Sequence, residues 1–112
     1  MNMPRLALRE KDNPNALVDS LDLIHKILYS HRQLIKDRIE HGVMPLYTTG
    51  WIDINKQFST IGLIGCNEYV ENCGLDILTE EGQNKLLQAY EQINDTASNW
   101  TKAEAKEYNV YN

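Results

Sequence analysis

Clustered positive charge is what this sequence most lacks. Its 11 Lys and Arg are outnumbered by 16 Asp and Glu, and the two signs are interspersed. Nucleic acids and anionic membrane surfaces are bound through concentrated Lys and Arg, so neither is expected as a partner. The formal net charge of −5 reads as an ordinary solvated acidic surface. Long apolar runs are missing too, and none nears the ~18 residues of a membrane-spanning helix. The opening MNMPRLALRE has no apolar h-region, so no secretory signal is expected. Cysteine is rare: Cys66 and Cys73 are too few for a disulfide framework. If they share one helix they lie ~10 Å apart, beyond the ~7 Å that a bridge spans. A reducing cytoplasm is the expected compartment. The glycosylation-type triplets at Asn94 and Asn99 then read as coincidence. Repeats, low-complexity tracts and Gly/Ser linkers are also absent.

What is present is globular in composition, with 42% hydrophobic and 24% charged residues. A chain of 112 residues is one domain at most. A short apolar patch runs from Met3 to Leu8. Asn13-Pro14 then pairs a favoured N-cap with a favoured first helical residue. From there Leu17, Leu21, Ile24, Leu28, His31, Ile35 and Ile39 recur at helical spacing, widened by Val18, Ile27 and Leu34. Arg38 and His41 suit the last turn, and Gly42 suits the C′ position. The expectation is a helix of about 28 residues, about 42 Å long, suited to lying against a much larger body. Val43 to Phe58 reads as irregular, with Pro45, Gly50, Tyr47, Trp51 and Phe58, and Tyr69 nearby.

Ser59 to Ile64 reads as a short buried strand, and Cys66 to Cys73 as a short helix ended by Gly74. Thr79 caps a final helix with Glu80 and Glu81 in its first turn. Its stripe is Leu86, Tyr90, Ile93, Ala97 and Trp100, and beyond about Ala105 the chain reads as extended. One strand cannot satisfy its own backbone groups. Its partners must come from another chain or from the rest of a larger sheet.

Several residues invite a chemical reading. Gly62-Leu-Ile-Gly65, between strand and helix, could cradle a phosphate. It lacks the third glycine of a dinucleotide fingerprint and the Lys-Ser/Thr of a P-loop, so tight strand-to-helix packing is the better account. Glu68 could act as a general acid or base, but a lone carboxylate in a first helical turn more commonly serves the helix dipole. Cys66 lies where a thiol pKa is lowered. With no His nearby in sequence, the reading of a small buried packing residue is favoured. His25, His31 and His41 offer no i, i+4 pair and no completing carboxylate, so no metal site is expected. His31, on the apolar stripe, reads as an interior histidine. The aromatics of 47–58 lack interleaved bases and read as packing residues rather than base-stacking ones.

Gln57-Phe-Ser-Thr-Ile-Gly-Leu-Ile-Gly65, followed by Asn67-Glu68, resembles a strand-and-helix segment of the catalytic barrel of anaerobic (class III) ribonucleoside-triphosphate reductases, glycyl-radical enzymes. The opening Asn2-Met-Pro-Arg5-Leu-Ala7 looks like the Asn-x-Pro-Arg-x-Ala strand found earlier in that barrel. The long helix with Gly42, Gly74-x-Asp76 before a helix, and terminal Tyr108-Asn109 agree in order. The resemblance extends over essentially all 112 residues.

The resemblance implies a parent enzyme with a ten-stranded α/β barrel, of which residues 1–112 are an incomplete internal segment. This segment would be mostly α with one or two short strands. It implies reduction of ribonucleoside triphosphates to deoxyribonucleotides, the supply of DNA precursors, through glycyl and thiyl radicals. The parent's partners and cofactors would be a radical-SAM activase, a structural four-cysteine zinc, nucleotide effectors and the remainder of the reductase chain. The radical-loop cysteine is expected before Asn2. The zinc region, the radical glycine and a phosphate-side Pro-Ala-Glu segment are expected after Asn112. The segment alone would be inactive and carry no cofactor. Asn2, Pro4 and Arg5 match one family motif, and Gly62, Gly65, Asn67 and Glu68 match the other. All seven are candidates for the barrel wall or pocket edge, and none for chemistry. Cys66 does not match the radical cysteine. Two alternatives stand beside this reading: a self-contained helical protein-interaction module, and a different glycyl-radical enzyme related to formate lyases, which the motif pair fits less well.

Overall fold

The computed structural model describes residues 1–107, with side chains through residue 104. Five α-helices account for most of it: α1 (Met3–Glu10), α2 (Ala16–Glu40), α3 (Pro45–Thr48), α4 (Cys66–Asn72) and α5 (Glu80–Glu107), with a 3₁₀ turn at Ile54–Lys56. The expectation of a mostly α segment holds. No strand forms among the described residues, where one or two were expected.

The helix starts and stops follow local chemistry. Asn2 caps α1 by accepting a hydrogen bond from the Arg5 amide at 3.1 Å, and Pro4 lies in the first turn. That cap turns Asn2–Ala7 into a helix, against the strand expected from the resemblance. Asn13 accepts from the Asn15 amide at 3.0 Å, but α2 proper begins at Ala16 and runs 25 residues rather than about 28. It ends on the expected glycine. Gly42, at φ 72°, lets its own amide reach the Ile39 carbonyl and lets Val43 reach that of Arg38. Gly74, at φ 79°, ends α4 in the same way, with amide bonds from Gly74 to Glu71 and from Leu75 to Val70. Thr79 caps α5 by accepting from the Gly82 amide at 3.1 Å. The helix continues to Glu107, past the extended start expected near Ala105. Tyr108-Asn109 and the rest of that tail lie outside the described residues.

The chain divides into two compact units. The first comprises residues 1–21 and 61–112, the second 22–60. Among the described residues the first unit holds all the buried hydrophobic side chains: Met3, Leu6 and Ala7 from α1, Ala16, Leu17 and Leu21 from α2, Tyr69 and Val70 from α4, and Ala89 and Ile93 from α5. Ile61, Leu63, Leu75, Ile77, Leu86 and Trp100 pack against this core. Each large side chain so buried contributes about 1.5–3 kcal/mol. On α5 the inward residue is Ala89, while Tyr90, expected in the stripe, is 55% exposed. A small residue lets that face come close, and the larger ring lies one position round the helix.

The second unit contains the rest of α2, α3 and the 3₁₀ turn, and none of its residues is fully buried. Ile24, Leu28, Ile35 and Ile39 are half-buried. Val18, before the unit begins, and Ile27 and Leu34 within it lie on exposed faces. His31 is exposed, which corrects its reading as an interior histidine. Position on an apolar stripe did not bring burial there. Trp51 and Phe58 are 83% and 89% exposed, so the packing role expected for them is not met among the described residues. The unit is joined by polar contacts instead. The Tyr47 hydroxyl donates to Gln57 Oε1 at 2.7 Å, and the Arg32 guanidinium donates to the Ile54 carbonyl at 2.7 Å.

Candidate functional site

The two motif segments meet. Asn2 and Ile64 form an isolated parallel bridge: the Met3 amide donates to the Ile64 carbonyl at 3.0 Å, and the Ile64 amide to the Met1 carbonyl at 3.1 Å. The Met1 amine also reaches the Gly62 carbonyl at 2.6 Å. Residues 59–64 were expected to find their backbone partners outside the chain, and part of that pairing is made here by residues 1–3. It stops after one bridge because Asn2 caps α1 and Gly65 opens α4, so both segments turn helical. Ile64 itself remains 71% exposed, while Ile61 and Leu63 lean on the core.

Gly65 is the pivot of this junction. It adopts φ 73°, in the left-handed region that favours glycine, and its carbonyl accepts the Tyr69 amide at 2.9 Å. A Cβ placed on it would lie 2.6 Å from Pro4 Cγ and 3.3 Å from Glu68 Oε2. Pro4 in turn offers its carbonyl to the Asn72 side chain at 3.2 Å. Pro4 and Gly65, drawn from different motifs, are therefore in direct packing contact. Gly62 has open space where a side chain would go, so the tight packing expected of both glycines belongs to Gly65 alone.

The polar candidates serve the helix ends. Asn67 donates to Glu71 Oε1 at 3.2 Å. Glu68 stands in the first turn of α4, exposed, where negative charge suits the helix dipole. Arg5 is exposed on α1, its amide held by Asn2. Asn2, Pro4, Arg5, Gly62, Gly65, Asn67 and Glu68 thus gather at one junction, which braces α1 against α4.

A second cluster lies deeper, and the sequence reading missed it. Tyr69 is 1% exposed, and its hydroxyl donates to Glu10 Oε2 at 3.3 Å. Cys73 sits beside it, within hydrogen-bonding reach. Burial pushes the Tyr69 phenol well above its usual range, and the Glu10 carboxylate adds to that. Burial also pushes the Cys73 thiol up. These are protonated, inert groups at neutral pH rather than activated nucleophiles. Tyr69 had been grouped with the loop aromatics, yet its i, i+4 relation to Cys73 and its place after a helix start were signals for an inward face. Cys66 and Cys73 are both free and half-buried.

Gly82 went unremarked in the sequence. It is buried inside α5, and a Cβ there would meet the Asp76 carbonyl oxygen at 2.0 Å. Asp76 organises the turn that enters α5: its side chain accepts from the Leu78 amide at 2.9 Å, and its carbonyl from the Thr79 hydroxyl at 2.6 Å. A glycine within a helical pattern was the available clue.

On α2, His25 packs edge-on to Tyr29 with ring centroids 6.5 Å apart. His41 is raised above its ordinary pKa by a hydrogen bond to the Asp37 carbonyl and by that residue's carboxylate. Among the described residues no group of three or more His, Cys, Asp or Glu is placed to hold a metal ion. They therefore do not fit a four-cysteine zinc site. No described helix is long and apolar enough to cross a membrane.

These features define a class first: a mostly helical chain whose two motif segments meet at a junction between α1 and α4. The family model for anaerobic ribonucleoside-triphosphate reductase matches residues 1–112. The chain belongs to that family. Comparison with curated proteins gave no match, and comparison with solved structures gave none.

Proposed function

We propose that this chain is a structural part of the catalytic body of an anaerobic reductase that converts ribonucleoside triphosphates to deoxyribonucleoside triphosphates. The family membership of residues 1–112 supports the reaction class. The observation that carries the structural role is the Pro4–Gly65 contact, which joins the two motifs on which the resemblance rests. Glycyl and thiyl radical chemistry would be supplied by other parts of the enzyme, after activation by a radical-SAM partner. The residues of this chain hold α1, the 62–65 segment and α4 in register. Neither cysteine is assigned a radical role: Cys73 is held protonated beside Tyr69, and Cys66 does not match the family's radical cysteine. The segment is an incomplete piece of the parent's α/β barrel, works in the cytoplasm, and is inactive alone.

Co-expression tests this reading. The chain is produced alone, and with reductase segments carrying the radical cysteine and the radical glycine, then assayed without oxygen in the presence of the activase. Turnover of a ribonucleoside triphosphate is expected only in the combined preparation. An assembled preparation that acquires the glycyl radical signal yet shows no nucleotide reduction would overturn it.

A further inference from the structure

The second unit has no fully buried side chain, so something other than an apolar core must hold residues 43–60. One side chain on α2 does much of this. The Arg32 guanidinium donates through Nη1 to the Ile54 carbonyl at 2.7 Å, and through Nη2 to the Gln57 carbonyl and to Ser59 Oγ at 3.3 Å. These acceptors lie 22, 25 and 27 residues further along the chain. A guanidinium is a planar fork of donors, and its hydrogen bonds are charge-assisted and stronger than neutral ones.

The arrangement has a second consequence. Gln57 is extended, at φ −94° and ψ 135°. Arg32 holds the Gln57 carbonyl and the Ser59 hydroxyl. Phe58, between them, is 89% exposed.

We propose that Arg32 is a latch that straps residues 54–59 onto α2 and thereby fixes the outward presentation of Phe58. Release of the guanidinium frees the strap as one piece while the core of the first unit stays intact. The device rests on side-chain geometry within the second unit and does not depend on the proposed function.

Phe58 is the sole phenylalanine of the sequence, which makes it a clean probe. The 112-residue chain is labelled with 4-fluorophenylalanine, and its ¹⁹F resonance is compared in wild type, Arg32→Gln, Arg32→Lys and Ser59→Ala. Amide exchange is followed at Lys56 and Gln57, whose amides donate to Asp53 and Ile54, and at Tyr69 and Leu75 as first-unit controls. Arg32→Gln is expected to move the resonance toward the free amino acid and to speed exchange at Lys56 and Gln57 at least about tenfold, with the controls unchanged. Arg32→Lys, a single ammonium, should fall between, and Ser59→Ala should shift the resonance least. An unchanged resonance and unchanged exchange in Arg32→Gln would overturn the latch. Should Arg32→Gln also lose control protection, Ser59→Ala decides: a shift in the same direction supports the latch, and no shift overturns it.

Discussion

The two units solve the same problem with different materials. Residues 1–21 and 61–104 close around Met3, Leu21, Tyr69 and Val70, all under 2% exposed. Residues 22–60 close around nothing, and leave Trp51, Phe58, Leu23, Ile27 and Leu34 more than half exposed. Hydrogen bonds from Arg32 and Tyr47 order that second stretch. A net hydrogen bond contributes about 0.5–1.5 kcal/mol, or somewhat more when charged, whereas a core side chain contributes about 1.5–3. Stability should therefore be concentrated in the first unit.

Truncating the core should give the largest effect. Tyr69→Ala removes the largest fully buried side chain and should cost about 3–5 kcal/mol in urea unfolding. The comparison would break if Phe58→Ala cost as much, since that exposed ring should change stability by no more than about 0.5 kcal/mol. Next comes Gly82→Ala. Its methyl group would lie 2.0 Å from the Asp76 carbonyl oxygen, and about 3 kcal/mol of destabilisation is expected by the same measurement.

A glycine pair sharpens the contrast further. Gly65 and Gly50 both have positive φ, 73° and 83°, but a Cβ meets Pro4 only at Gly65 and open space at Gly50. Gly50→Ala should cost the backbone strain alone, about 1–2 kcal/mol. Gly65→Ala should cost that and the clash, about 1–3 kcal/mol more. Equal costs would deny the packing of Pro4 on Gly65.

The smallest effect concerns pH. Tyr69 and Cys73 both hold their protons more tightly when folded than their ordinary values of 10.0 and 9.0 allow. Their contribution is thus complete below about pH 9. It is lost as pH rises, because the unfolded chain releases these protons first. Urea midpoints measured from pH 8 to 11 should fall over the upper part of that range, and Tyr69→Phe should flatten the fall.

Much of this was legible in the residues because it is local. Gly42 and Gly74 end their helices as expected, Thr79 caps α5, and α2 lies within two residues of its anticipated bounds at each end. What was not legible depends on contacts distant in sequence. The 59–64 segment looks like a strand from its own composition, but its fate depends on residues 1–3, which cap a helix after one bridge. His31 lies on a faultless apolar period, yet it is exposed. The candidate residues were picked out through resemblance, but their mutual packing was not, since nothing in either motif alone shows that Pro4 rests on Gly65. Gly82 and Tyr69 also pack tightly in the first unit, and only the assembled core shows it.

The most direct test of the central claim, that these motif residues build the enzyme rather than react in it, is the turnover of an anaerobic reductase carrying this segment with Glu68→Gln. A carboxylate that serves the end of α4 can be lost with activity kept within about threefold. A general acid or base cannot, and its loss would lower turnover by about 100-fold or more. Retained turnover is the result this account predicts; a loss of the larger size, with the fold intact, would contradict it.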